Sequence, residues 1–201
     1  MARGHEAAAD CPVSDSDLHT IRSARLDLLL LSPEALRLSL DQDSLALEEA
    51  LRIAVPPEWY AEKALVRFRL DQLKSDPECQ PWSLRAISFR DWKQMIGYIN
   101  CHTKPGDPYL HDIAPQGVEY GFQIFPDFRR QGYADEACRA LMKWAHDCHH
   151  VSEFVVSISP DNIPSLRLAE HLGFRQAGSH IDEVDGLEYI FRLDSRASDA
   201  A

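Results

Sequence analysis

The feature that most restricts this chain is an unbroken succession of strand, turn and helix between residues 118 and 148. Val118 to Phe125 is an apolar run that stops at Pro126, and Asp127 to Gly132 form a tight turn. Ala134, Ala137, Cys138, Leu141, Met142, Ala145 and Cys148 then recur at spacings of three and four, the clearest amphipathic helix in the sequence. A helix N-terminus presents backbone N–H groups without intrahelical partners and a partial positive charge, and a glycine such as Gly132 lets the backbone approach an anion closely. Arg129 and Arg130 add positive charge at the same point. The turn can therefore cradle a phosphate, although most glycine-containing turns ahead of helices are plain connections.

The periodicity elsewhere supplies the remaining elements. Arg25 to Leu31 reads as a strand, and Ser32-Pro33-Glu34 supply an N-cap, a first-turn proline and an acidic residue for a helix to about Leu40. A short helix is expected over Ser44 to Leu51, and Pro57 opens a longer one through about Leu73 with Leu65, Phe68 and Leu73 at apolar positions. Leu84, Ile87 and Phe89, then Met95, Ile96, Tyr98 and Ile99, mark a hairpin joined around Arg90 to Lys93, to which the 118–125 run adds a third strand. Lys104 to Pro115, with three prolines and a glycine, is a loop. Phe154 to Ile158 is a buried-type strand, Ile163 to Leu172 a helix ended by Gly173, and Leu187 to Leu193 a closing strand. Residues 1–20 and 195–201 lack apolar period and read as disordered tails around a single domain over 21–194.

Composition narrows the function. The longest apolar run, Leu28 to Leu31, is far short of the roughly 20 residues that span a bilayer, and the first twenty residues lack the apolar stretch of a secretory signal. A cytoplasmic location with no membrane partner is expected. A net charge of -11 opposes a nucleic-acid partner and gives weak support to a cationic one. Five cysteines without a CxxC pair argue against a disulfide framework and a structural zinc site. His146, His149 and His150 invite a metal, but no carboxylate or cysteine at useful spacing completes a set, and cationic side chains suit a helix C-terminus anyway. No metal is expected. A dinucleotide-binding domain is disfavoured because no GxGxxG is present.

The turn resembles that of the GNAT superfamily of acetyl-CoA-dependent N-acetyltransferases, whose [QR]-x-x-G-x-[GA] signature is matched by Arg129, Gly132 and Ala134. A second segment agrees: Asn162-Ile163-Pro164-Ser165 is similar to the family's N-x-x-S, and Glu170-His171-Leu172-Gly173-Phe174 to its E-x-x-G-F helix end. The opening R-L-x-L-x-x-L with its helical insert, residues 44–76, is similar to the RimJ/RimL-type branch, whose members modify protein N-termini, amino sugars, polyamines and antibiotics. The resemblance, from Arg25 to about Leu193, implies an α/β (α+β) fold. Its central sheet would be mixed and mostly antiparallel, with six to seven strands flanked by helices and two central strands splayed apart.

It also implies a division of labour. Backbone amides of Arg130, Gln131, Gly132, Tyr133, Ala134 and Asp135, with Arg129 beside them, would hold the pyrophosphate of acetyl-CoA. A backbone N–H among Gln123, Ile124 and Phe125 would face the oxyanion, and Asn162 would bond the pantetheine arm. The acceptor would be a primary amine. Such an amine attacks a thioester only when neutral, so a proton acceptor is needed. Glu119 resembles the family's glutamate base, with His111 and Asp112 in reserve. Many members place a tyrosine acid seven residues after the motif asparagine, where this chain has Ala169. Ser165 is the substitute, unless it is only a helix cap. Trp59 and Tyr60 are candidates to line the acceptor pocket. Monomer and homodimer both remain open, and the competing class is an acyl-CoA-binding sensor without turnover.

Overall fold

The computed structural model describes residues 20–182 and 186–195. The expected tails fall outside these, except that Thr20 opens the first strand and Ser195 follows the last. In chain order the elements are β1 (Thr20–Arg22), β2 (Leu26–Leu30), α1 (Pro33–Asp41), α2 (Ser44–Leu51), α3 (Lys63–Ser75), β3 (Arg85–Phe89) and β4 (Met95–Cys101). They continue with β5 (Val118–Ile124), α4 (Tyr133–His149), β6 (Glu153–Ile158), α5 (Ile163–Leu172), β7 (Arg175–Asp182) and β8 (Gly186–Asp194). One sheet joins all eight strands in the order β1-β2-β3-β4-β5-β6-β8-β7. Every neighbouring pair is antiparallel except β5 and β6.

Eight strands stand where six to seven are expected. The additions are β1, which is only three residues long, and β7, whose sequence RQAGSHID is almost wholly exposed. Neither carries an apolar alternation. Backbone pairing with β2 and β8 holds them at the two edges of the sheet.

Each face of the sheet has its own core. Leu26, Leu28, Ile87, Ile96, Val118, Tyr120 and Ile124 meet Ala137, Cys138, Leu141, Trp144 and Ala145 of α4, and Ala169 and Leu172 of α5 join them. On the opposite face Leu84, Ala86, Met95, Tyr98 and Phe125 meet Leu36, Leu47, Val66, Leu70 and Leu73 of α1 to α3. The helix expected from Pro57 is broken into a 3₁₀ turn over Pro57–Ala61 and α3, with Glu62 between them at ψ 28. Phe68, expected on the apolar face of α3, is 60% exposed. Ser32 caps α1 as expected, its side chain accepting from the Ala35 N–H at 3.1 Å.

The decisive irregularity lies between the parallel strands. β5 and β6 pair only at Val118 with Phe154 and Glu119 with Val155. β5 stays bonded to β4 as far as Ile124, opposite Gly97, and β6 stays bonded to β8 as far as Ile158, opposite Tyr189. Each strand follows its outer neighbour, so the sheet opens toward the carboxyl ends of both.

Candidate active site

The opening holds a cavity of about 380 Å³, bounded by Gly121 and Phe122 of β5, Ser157 and Ile158 of β6, and Asn162 and Ser165 at the start of α5. Crevices outside the carboxyl ends of parallel strands are the usual ligand sites of such sheets. The edge of β5 that faces the cavity follows from its ladder. His102 donates its N–H to the Glu119 carbonyl at 2.7 Å, and Phe125 donates to Ile96 at 2.9 Å, so residues 119, 121, 123 and 125 turn their backbone toward β4. The backbone groups of Phe122 and the N–H of Ile124 point into the gap. Of Gln123, Ile124 and Phe125, Ile124 is thus the residue whose N–H turns away from β4. The Gln123 side chain instead donates to Glu62 at 2.9 Å.

β5 runs straight into the turn. Arg129 folds back, its Nε donating to the Ile124 carbonyl at 2.7 Å. Arg130 and Gly132 take left-handed φ of 63° and 80°, which turns successive amides the same way. Among the described residues, the N–H groups of Arg130, Gln131, Gly132, Tyr133, Ala134 and Asp135 have no hydrogen-bond partner; the first satisfied amide is that of Glu136, on Gly132 at 3.1 Å. The Glu136 carboxylate fixes the helix start by accepting from Arg25 Nε at 2.6 Å and the Ser23 hydroxyl at 2.7 Å. Tyr133 packs edge-on to Phe89, centroids 5.1 Å apart.

Glu119 ends the paired part of β5, so its carboxylate lies at the root of the splay with its side chain only 3% exposed. Burial alone would raise its pKa, but the polar neighbours His102 and Ser157 and, when protonated, the imidazoles of His102 and His180 outweigh it and hold the carboxyl below its ordinary range. The site therefore keeps an anion at neutral pH. His102 Nδ1 stands 3.6 Å from Glu119 Oε1. The reserve bases His111 and Asp112 pair with each other at 3.2 Å, with side chains 80% and 99% exposed.

Residues 29–175 match the family described as Acetyltransferase (GNAT) domain. This chain belongs to the GNAT family. Among curated proteins it is 30% identical over 92 residues to the uncharacterised N-acetyltransferase YnaD of Bacillus subtilis (strain 168), across 46% of this chain and 49% of the relative. It is 41% identical over 87 residues to the N-acetyltransferase 9-like protein of Caenorhabditis elegans, across 42% and 43%. The chain thus spans about half the length of the curated relatives it matches. The fold is shared with a GNAT-family acetyltransferase from Bacillus anthracis, at a TM-score of 0.58 and 18% identity, covering 88% of this chain and 99% of that one. It is shared too with the microcin C7 self-immunity acetyltransferase MccE in complex with acetyl-CoA and AMP, at 0.55 and 14%, covering 86% and 93%.

In this GNAT chain the start of α5 is built by Asn162, whose Oδ1 accepts from the Ser165 N–H at 3.3 Å. Asn162 is therefore the cap, and the alternative reading of Ser165 as the cap is corrected: Ser165 stands three residues further on, with its side chain at the cavity. Ala169 also borders the cavity and is buried. Trp59 does not line it. Its indole, contributed by the helical insert itself, is 1% exposed in the core on that face of the sheet and donates to the Ser39 hydroxyl at 3.0 Å, because a ring this large is most stable where its face is buried and its N–H bonded. Tyr60 packs at the margin of the same core and likewise does not border the cavity.

The three histidines at the end of α4 diverge. His146 faces Asp147 at 3.1 Å, while His149 packs tilted against Trp82 and edge-on to Trp144, with centroids 4.8 and 4.6 Å away. Burial, then the neighbouring charges of Arg85 and His150, push the His149 pKa down. Among the described residues no group of three or more His, Cys, Asp or Glu could hold a metal ion, and no helix is long and apolar enough to cross a membrane. Cys79, Cys101 and Cys138 are free and buried. Cys148 is disulfide-bonded; an odd cysteine count weighs against a framework of bridges but leaves room for one.

His102 is the residue that sequence reasoning missed. It follows the last residue of β4 and meets Glu119 across the ladder. Extending the hairpin strand three residues past Ile99 would have aligned the two.

Proposed function

We propose that this chain transfers an acetyl group from acetyl-CoA to a primary amine, either a protein N-terminus or a small-molecule amine, by direct attack within a ternary complex. The observation that carries the reading is a coincidence of place. At the carboxyl ends of two splayed parallel strands, the edge of β5 at Gly121 and Phe122 borders a cavity, the run of unpartnered amides begins in the turn into which that strand leads, and the buried carboxylate of Glu119 lies at the root of the splay, next to the lining residue Tyr120. The amides of Arg130 to Asp135, with the positive helix end, suit a pyrophosphate. The open edge at Phe122 and Ile124 suits an extended amide-bearing arm laid in as an additional strand. Asn162 is the side chain beside that arm.

The chemistry then divides by residue. A lysine-type amine near pKa 10.4 or an α-amine near 8 arrives largely protonated at about pH 7, so the site must draw off a proton, and Glu119 is the anion toward which it moves. As the amine nitrogen bonds to the thioester carbon, negative charge collects on the former carbonyl oxygen, where the Ile124 N–H is aimed. Collapse expels the thiolate, whose ordinary pKa near 8.5 makes protonation helpful but undemanding; Ser165 is placed to assist. The protein works in this reading as a cytoplasmic single-domain enzyme, monomeric or dimeric, that needs neither metal nor nucleic acid. Purified protein incubated with acetyl-CoA and a panel of primary amines should release free thiol in proportion to amine. Tight binding of acetyl-CoA with no amine-dependent release would make it a sensor of acyl-CoA instead.

A further inference from the structure

We propose that His102 is the group that takes the proton from the attacking amine, and that Glu119 is the positioning residue that orients its imidazole. This rests on the acetyl-transfer reading above. The two side chains share a face because their residues lie opposite each other across the β4–β5 ladder, tied by the 2.7 Å bond from the His102 N–H to the Glu119 carbonyl. They differ in access: the Glu119 side chain is 3% exposed and that of His102 42%. The carboxylate has His102 and Ser157 as its neighbours.

The two ring nitrogens face different ways. Nδ1 lies 3.6 Å from Glu119 Oε1, an ion-pair distance that a small rotation shortens to a hydrogen bond; such bonds are commonly long before substrate is in place. Nε2 lies over Gly121, so close that a Cβ built there would stand 2.9 Å from it. Gly121 borders the cavity, and any side chain there would displace the ring from this position. The helical insert fixes the backbone beneath: Arg69 Nη1 and Gln72 Nε2 donate to the His102 carbonyl at 3.2 and 3.4 Å. Arg69 is itself buried in α3, so the insert carries part of the site.

With Nδ1–H directed at Glu119, the lone pair is left on Nε2, on the cavity side. The amine that reacts is the neutral form, its first proton already lost to solvent; as its lone pair bonds to the thioester carbon the nitrogen becomes cationic and gives one proton to Nε2, the ring becomes an imidazolium held against the carboxylate, and the carbon–sulfur pair leaves on sulfur as the thiolate. The charged and titratable groups around the pair are Arg69 from α3, Tyr109 from the loop before β5, and His180 and Glu188, 3.5 Å apart, from β7 and β8.

Two measurements on the full chain decide the matter. Nitrogen-15 NMR of the imidazoles should show His102 as the Nδ1–H tautomer, and Glu119→Gln should shift it toward Nε2–H. In thiol-release assays with alkylamines and short peptides bearing free α-amines, His102→Ala should lose about a hundredfold in kcat/KM for the amine, the scale of general-base catalysis. It should keep its acetyl-CoA affinity, lose the limb of the pH profile that belongs to the base, and regain part of its rate with added imidazole. Wild-type turnover that survives His102→Ala within threefold overturns the proposal, as does a His102 tautomer indifferent to Glu119→Gln. Wild-type protein that releases no thiol with any amine overturns the acetyl-transfer reading itself, and with it the base.

Discussion

Gly132 combines two demands at one residue: a left-handed φ of 80°, which side chains rarely adopt, and a place among amides turned toward a common point. Only Arg25 Nη2, at 3.5 Å, would meet a Cβ there, so the left-handed backbone, rather than crowding by the protein, sets the need for glycine. Gly132→Glu should weaken acetyl-CoA more than tenfold by calorimetry, about 1.4 kcal/mol or more. A change within threefold would mean that the cradle lies elsewhere. Ser165 offers a subtler test, because Asn162 already serves as the cap. Ser165→Ala should leave the melting temperature unchanged and lower thiol release about tenfold if the hydroxyl assists the departing thiolate. Unaltered turnover would return that role to water.

Elements were legible where apolar residues recur with a clear period, as in α4, or where end signals are chemical, as at Ser32 and Gly173. They were not where pairing alone makes the strand. β7 has almost no buried side chain, and β1 is too short to show a pattern. The turn of unpartnered amides was legible because its signal is local, a glycine turn followed by a helix. The His102–Glu119 pair was not, because it is made by register between two strands rather than by spacing along one. Tertiary register also explains Gly97. A Cβ there would collide with the Gln123 carbonyl, backbone that β4–β5 pairing fixes. Gly97→Ala should therefore destabilise by more than the ~1 kcal/mol typical of single substitutions, read from urea midpoints. It should also impair turnover, since β5 carries both Glu119 and Ile124. A neutral outcome would show that the two strands separate more freely than their ladder indicates.

At the scale of the molecule, the sheet's two faces hold separate cores, and the site lies where its parallel pair opens. Two carboxyls, Glu119 at the root of the splay and Glu136 at the start of α4, sit below the ordinary value of 4.5. In both, burial acts upward and is outweighed, by His102 and Ser157 for Glu119 and by Arg25 and Ser23 for Glu136. A depressed folded pKa means that the unfolded chain binds the proton more readily. The stability they contribute is fully present above about pH 4.5 and is lost as pH falls through the lowered folded values. Urea midpoints of the wild type should fall across that window, and those of a Glu119→Gln, Glu136→Gln double variant should fall less. Equal slopes would place the acid sensitivity in other carboxylates.

The central claim is that amine acetylation takes place in the splay under the control of Glu119. Its most direct test is the steady-state amine kinetics of Glu119→Gln, with acetyl-CoA affinity measured on the same preparation. The predicted result is a loss of about a hundredfold or more in turnover with the acetyl-CoA dissociation constant nearly unchanged. Turnover equal to wild type, or a loss confined to the cofactor constant, would contradict it.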